Sequence, residues 1–480
     1  MKLNKGTLAF DFGSSSGRLI LGVLDEGNNK ISIKEIHRFE NKSVVLNKNE
    51  YWDFLYLFNE LKAGLKKASL EKDVEIVSLG IDTWGVDYGW IDEDGDLLYN
   101  PICYRDQRTE SIINEVHSKI SKFDLFKESG NQFYPFNTLY QIYYDIYEKK
   151  ILEKGAKKFL FLPNLFAYYL TGKESWEYTI ASTSGLLNSK SRAWSGDIFE
   201  KLKIPKEIKG EIKESGTILG EIKREIIEEL GINNMEVILT ASHDSAAAAA
   251  GAPLKNKNSL YIINGTWSLL GIESEMSVLT EEAFRNNIIN EGGVNKTVRV
   301  LKMIPGLWIL QQLRKNFSER NLNIGYEKFG EMAKSSNIDS FVNLEDERFL
   351  YTKNMEKEIK KYCIETKQII PETEEDLLRT AYNSLKKEYK KGIDTIKKIT
   401  NINFEDFIAI GGGIQDKFLC QEVANELGRE IRTGPIEASA FGNIITQFIS
   451  LGLIESYEKA RKIIESSSEI SVYYPRQEVY

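Results

Sequence analysis

The segment Ala241-Ser242-His243-Asp244-Ser245, followed by alanines from Ala246 to Ala250, holds the residues best suited to acid–base chemistry. An apolar run, Val237-Ile238-Leu239, leads into it, and the alanines predict a helix leaving it. Asp244 then stands at a strand-to-helix corner, where side chains commonly line a cleft. A short carboxylate beside helix amides can stay ionised near neutral pH and accept a proton. The same residue type there also makes a plain N-cap, so this segment alone leaves both readings open.

Other residues could hold phosphate. Asp11 ends an apolar run, and Gly13-Ser14-Ser15-Ser16-Gly17 offers amides and hydroxyls that can surround phosphate oxygens. Arg18 adds a fixed positive charge, and Asp11 suits a Mg²⁺ ion held partly through water. Asn264-Gly265-Thr266-Trp267-Ser268 supplies a second set of small donors. Gly411-Gly412-Gly413 lets backbone approach a flat or bulky ligand, with a helix N-terminus just beyond. Each turn, taken singly, is also an ordinary hairpin turn. Neither the P-loop spacing nor the GxGxxG dinucleotide signature is present.

The elements that must position these groups are mixed. Apolar runs on either side of the two Gly/Ser/Asn turns predict two hairpins, near the start and near the middle of the chain. Their similar design suggests duplicated domains facing one another, joined near Gly251-Ala252-Pro253-Leu254. We therefore expect domains at 1–253 and at 254–480. Strands are expected at 75–81 and 86–91, flanking Asp82-Thr83-Trp84-Gly85. Leu377, Leu378, Ala381, Leu385, Tyr389, Ile393 and Ile396 share one face of a helix over 374–398. A strand over 407–410 should run into the glycines, and a helix over 416–427 should end at Gly428. Strands mixed with helices throughout make the class α/β.

Composition narrows the function. A chain of 480 residues, 42% hydrophobic and 28% charged, favours two domains over one compact unit. No apolar stretch approaches the roughly 20 residues of a membrane span, and the first residues lack the apolar core of a signal peptide. Cys103, Cys363 and Cys420 form no metal or redox spacing, and a count of three histidines argues against a His-rich zinc centre. A net charge of −8 argues against nucleic acid as partner. The expectation is a cytoplasmic protein without membrane contact, monomeric or homodimeric.

The series DFGSSSGR (11–18), SHDSA (242–246), NGTWSLLG (264–271) and GGGIQD (411–416) resembles the FGGY family of carbohydrate kinases. GIDTWGVDY (80–88), YRDQRT (104–109), PFNTLYQ (135–141), EGG (291–293), GLWILQ (306–311) and GPIEASAFGN (434–443) resemble its L-rhamnulose-phosphorylating branch. The resemblance implies two ribonuclease-H-like domains of the actin/sugar-kinase ATPase type, with a cleft between them. It also implies ATP and Mg²⁺ as cofactors and a small sugar as substrate. Asp244 would be the general base, with His243, Ser245, Gly85, Trp84 and Asp87 at the sugar. Gly85 would let the sugar come close, Trp84 would supply an apolar wall, and Asp87 a hydroxyl acceptor. Tyr104 and Asn137 are further candidates. Ser14, Ser15, Ser16, Gly17, Arg18, Thr266, Gln311, Gly411, Gly412 and Gly413 would surround the nucleotide. The branch's Leu-Lys-Asn-Ile, whose asparagine meets the sugar, reads Leu301-Lys302-Met303-Ile304 here. A thioether cannot donate a hydrogen bond to a hydroxyl, so another group replaces it or the preferred sugar differs. Asp416 stands where asparagine is common and bears on the nucleotide side. Kinases of L-fuculose, D-xylulose or glycerol, an actin- or chaperone-like ATPase switch, and a non-catalytic sugar binder remain as alternatives.

Overall fold

Leu8, Phe10 and Phe12 alternate with Ala9 and Asp11, and the small residues that follow let the chain reverse. In a computed structural model, which describes residues 3–350 and 352–476, strands Asn4–Phe12 and Ser16–Asp25 pair antiparallel, with Asp11 opposite Arg18. Lys30–Glu40 extends this hairpin on one side. Val74–Thr83 joins the first strand in parallel on the other, followed in parallel by Glu236–Leu239. Thr217–Glu221 closes that edge. The central strands are buried on both faces, so their sequences read as nearly continuous apolar runs.

A second sheet repeats the plan. Ser259–Ile263 and Trp267–Ser274 form the hairpin, and Val298–Pro305 extends it. Asp406–Ile410 joins the first strand in parallel, followed by Ile431–Thr433. Ile288–Gly292 and Val472–Tyr473 form the edges. In both sheets the third, second and first strands lie side by side, then two parallel strands. This is the duplication expected from the two hairpins, in the ribonuclease-H-like form that the resemblance implies.

The two halves meet through helices that need small residues. A Cβ on Gly442, in helix Ala438–Ser450, would sit 1.8 Å from the Ala247 carbonyl oxygen, and one on Gly251 would sit 2.1 Å from that of Ala438. Backbones this close exclude larger side chains, which accounts for the alanine run of helix Asp244–Ala250. The opposite side of Ala438–Ser450 buries Phe441, Ile444 and Phe448 against Ala9, Ile20 and Leu24 of the first sheet. Helix Tyr457–Ser467 adds Ala460, Ile463 and Ile464 to the same cluster. The last helices of the 254–480 segment therefore build on the first sheet, while the second sheet starts just beyond Pro253.

Helix Glu374–Thr400 is closed at its start by a capping box between Thr373 and Asp376, and all seven apolar residues predicted to share its face are buried. Gly428, left-handed at φ 64°, ends helix Lys417–Leu427. One element differs from expectation. The strand from Val74 continues through Asp82 to Thr83, and Tyr88–Ile91 leaves the sheet to pair with Lys158–Phe161. Between them Val86 has φ 68°, a conformation that β-branched residues rarely adopt. Among the described residues no helix is long and apolar enough to cross a membrane.

Candidate active site

Parallel pairing puts Asp11 directly beside Asp82 at the carboxyl ends of two central strands, where open α/β sheets commonly bind ligands. The Thr83 amide donates to the Ser242 carbonyl at 2.9 Å, which ties the segment carrying Asp244 to the same edge. His243 is the N-cap and Asp244 the first helical residue, so the plain N-cap reading of Asp244 does not apply. Its Oδ1 accepts the Ser245 amide at 2.6 Å, and its side chain is 36% exposed. Loss of water contact raises its pKa above the usual carboxylate range, His243 opposes that, and Asp11 adds to it.

Asp82 has no solvent exposure, and burial followed by the charge of Asp11 pushes its pKa well up. Asn443 donates to its Oδ2, but its Oδ1 has no hydrogen-bond partner. Like charges crowded around an unpartnered carboxylate oxygen fit a divalent cation nearby. Among the described residues no three acidic, histidine or cysteine side chains close around one point. That donor set suits Mg²⁺, which keeps several waters and leans on substrate phosphates.

The Ser14–Ser16 turn is held by Asn41, whose amide donates to the Ser15 carbonyl and whose Nδ2 donates to the Gly13 carbonyl, both at 3.0 Å. Ser14, Ser15 and Ser16 keep exposure, whereas Gly17 is buried under Phe39, whose ring would lie 2.1 Å from a Cβ there. Packing alone therefore requires that glycine. Arg18 donates to Asp11 Oδ2 at 2.9 Å and also pairs with Glu437. The Ser439 hydroxyl donates to the same Asp11 oxygen at 2.6 Å. In the second half, Thr266 is exposed and its Oγ1 accepts Gln311 Nε2 at 3.0 Å. Gly411 takes φ 84°, and the Gly413 amide donates to the Asn264 carbonyl at 3.1 Å, bringing the two loops together. A Cβ on Gly412 would meet nothing within 4 Å. Asp416 caps the next helix through the Leu419 amide and accepts the Tyr382 hydroxyl at 2.6 Å, so its carboxylate is committed to the fold.

A cavity of about 210 Å³ lies between the halves. Trp84, Gly85 and His243 line it from the first half, and Leu269, Glu291 and Met303 from the second. A Cβ on Gly85 would come within 3.3 Å of His243 Nε2 and of Thr183. Thr183 also accepts the Val86 amide, and Thr138 donates to the Val86 carbonyl, which holds the strained residue in place. Asp87 does not line the cavity. It is fully buried behind the wall, where it accepts Trp52 Nε1 at 2.7 Å, Trp84 Nε1 at 2.9 Å, the Tyr104 amide and Gln141 Nε2. The role of hydroxyl acceptor expected of Asp87 is therefore replaced by one of fixing the Trp84 ring and the Tyr104 backbone. Ser245 is likewise buried, its hydroxyl accepting Arg299 Nη1 at 2.9 Å. Tyr104 and Asn137 both reach the cavity, although Asn137 Oδ1 is occupied by the Tyr134 amide.

The structure brings Asp11, His243 and Asp244 to one edge and adds residues to which sequence reasoning gave no role. The sequence places Asp82 only in the segment between two strands, because its pairing with Asp11 is a matter of strand register. Glu291 lies in a motif of resemblance without an assigned chemistry, and Arg299 lies outside every such motif. Glu437 and Ser439, more than 400 residues along the chain, meet Arg18 and Asp11 respectively only because the final helices return to the first sheet.

Comparison with known proteins agrees with this geometry. Residues 7–251 match the N-terminal domain of the FGGY family of carbohydrate kinases, and residues 260–451 match its C-terminal domain. A rhamnulokinase of Halalkalibacterium halodurans is 40% identical over 97% of this chain and 98% of its own length. One from Bacillus subtilis is 36% identical over 98% and 95%. Among solved structures, a xylulose kinase from Lactobacillus acidophilus superposes with a TM-score of 0.81 at 17% identity, covering 98% of this chain and 94% of that one. Plasmodium falciparum glycerol kinase with ADP gives 0.79 at 16% identity over the same shares. At such identities the likeness concerns the fold. Two family domains in succession over one duplicated fold are decisive: the chain belongs to the FGGY family of carbohydrate kinases and is an ATP-dependent sugar kinase.

Proposed function

We propose that this kinase transfers the γ-phosphoryl group of ATP to the 1-hydroxyl of L-rhamnulose. The observation that carries the reading is a monosaccharide-sized cavity walled by both halves. His243 stands on its wall with Nε2 3.4 Å from Asp244 Oδ1. The rhamnulokinases similar to it over nearly its whole length support a ketose substrate. Trp84, Phe136, Leu269, Ile289 and Met303 give part of the wall an apolar character that suits the methyl end of a 6-deoxy ketose.

In the reaction Asp244 takes the hydroxyl proton as the sugar oxygen bonds to the γ-phosphorus and ADP departs. A carboxylate whose pKa is raised above its ordinary value accepts that proton more readily than an ordinary one. Ser14, Ser15, Ser16 and Thr266 present hydroxyls and amides to the phosphates, with Gln311 holding Thr266. Gly411, Gly412 and Gly413 leave room for the rest of the nucleotide. Mg²⁺, held through water by Asp11 with Asp82 beside it, would neutralise phosphate charge. The enzyme would work in the cytoplasm, as a monomer or homodimer, with its three cysteines unpaired.

Met303 in the cavity favours a second reading, another ketose such as L-fuculose, because the thioether donates no hydrogen bond. Coupled ADP release measured over L-rhamnulose, L-fuculose, D-xylulose and glycerol decides between them. L-rhamnulose is expected to give the highest kcat/KM. Equal ATP turnover with and without every sugar would overturn the kinase reading in favour of a nucleotide switch.

A further inference from the structure

Glu291 and Arg299 stand directly opposite each other on the antiparallel strands Ile288–Gly292 and Val298–Pro305. Arg299 has no solvent exposure, and its donors have defined partners. Nη2 donates to Glu291 Oε2 at 2.8 Å and lies 3.2 Å from His243 Nδ1, Nη1 donates to Ser245 Oγ at 2.9 Å, and Nε donates to the Gly292 carbonyl at 2.9 Å. One guanidinium from the second half thus grips the residues on both sides of Asp244. The edge strand is docked from the same direction, its Gly292 amide donating to Ser182 Oγ at 2.7 Å. Both observed polar contacts of the Glu291 carboxylate, Arg299 and His243 at 3.5 Å, fall on Oε2, and Glu291 lines the cavity.

We propose that Glu291 is a specificity-determining residue of the sugar site, its Oε1 accepting a hydrogen bond from a hydroxyl of the bound sugar, with Arg299 as the residue that positions it. The inference rests on the reading of the cavity as a sugar site. Its chemistry is complementary to the other walls. Met303 supplies no donor, Asp87 is turned away, and the remaining second-half residues on the cavity, Leu269 and Ile289, are apolar. Glu291 is the carboxylate among the residues lining the cavity. Burial alone would push its proton affinity up, but the His243 ring and then the Arg299 guanidinium hold the carboxyl below its usual range, so it remains an acceptor. A hydrogen bond from a neutral hydroxyl to a charged, partly desolvated acceptor is among the stronger kinds. Because the acceptor comes from the second sheet and Gly85 and His243 from the first, the sugar is read from both sides at once.

The test compares wild type, Glu291→Gln and Glu291→Asp in coupled ADP release, with L-rhamnulose varied at saturating ATP and then the reverse. Glu291→Gln keeps the shape and the contact to Arg299 but removes the charge. The expected result is a sugar KM raised about 10- to 100-fold, with kcat changed less than about threefold and the ATP KM unmoved. Glu291→Asp, which keeps the charge and withdraws it by one methylene, is expected to lie between the two. A sugar KM within twofold of wild type in Glu291→Gln overturns the proposal, as does an equal loss in kcat and in ATP affinity. Wild-type turnover of any sugar in the panel is the control that separates the outcomes. If it is present while Glu291→Gln behaves as wild type, this inference fails and the kinase reading stands. If wild type turns over none of the sugars, both fail.

Discussion

Asp87 shows how a single carboxylate shapes both site and stability. Its four donors hold it ionised at neutral pH, yet burial raises its pKa to about 6 from an ordinary 3.8. Between these values the folded protein binds a proton that the unfolded chain has released. The stabilising effect is therefore fully present below about pH 4 and is lost as pH rises through 6, by roughly 3 kcal/mol. In urea denaturation, the stability of wild type relative to Asp87→Asn should fall by about that amount from pH 4 to pH 7. A constant difference would show that the carboxyl titrates normally. The role proposed for Asp244 is different, and its prediction is kinetic. Asp244→Asn should lower kcat by roughly 10²–10⁴-fold and leave sugar KM nearly unchanged. Because its pKa is raised, kcat in wild type should decline on the acid side at a pH above the ordinary carboxylate value. Near-normal turnover in Asp244→Asn would remove this residue from the base role.

Two elements carry the geometry, and each has a glycine whose replacement tests it. The crossing of Asp244–Ala250 with Ala438–Ser450 leaves no room at Gly442, where a Cβ would press on the Ala247 carbonyl. In an ordinary helix interior, glycine to alanine gains up to about 1 kcal/mol. Here Gly442→Ala should instead destabilise by about 1–3 kcal/mol, since backbone cannot yield as a side chain can. A higher melting temperature in that variant would contradict the crossing. The loop Trp84–Asp87 makes the second case. A Cβ on Gly85 meets His243 and Thr183 at 3.3 Å, a contact that small shifts relieve. Gly85→Ala should therefore fold with nearly normal stability but occupy sugar space, raising sugar KM about tenfold without moving the ATP KM. An unchanged sugar KM would place the substrate elsewhere.

At the scale of the molecule, the cavity has walls from both sheets, so a sugar that fits it binds the folded, closed arrangement and not the unfolded chain. L-rhamnulose at about 100 times its Kd should stabilise the protein by roughly 2.7 kcal/mol, read as a rise in melting temperature. A sugar that leaves the melting temperature unmoved is not a ligand of this cavity. The amino-acid sequence by itself determined the duplicated α/β plan and the small-residue loops. A strand buried on both faces, a turn of glycine and serine, and a helix of buried periodicity are local consequences of residue type, as Thr7–Gly17 and Leu377–Ile396 show. Asp244 was legible for the same reason, since its strand-to-helix corner is written in consecutive residues. Only the tertiary structure decided that Asp82 stands beside Asp11, that Asp87 faces away from the cavity, and that Arg299 and Glu291 reach across to His243. Those placements depend on strand register and on the approach of two halves, which are fixed by packing summed over hundreds of residues and leave no local trace in the order of amino acids.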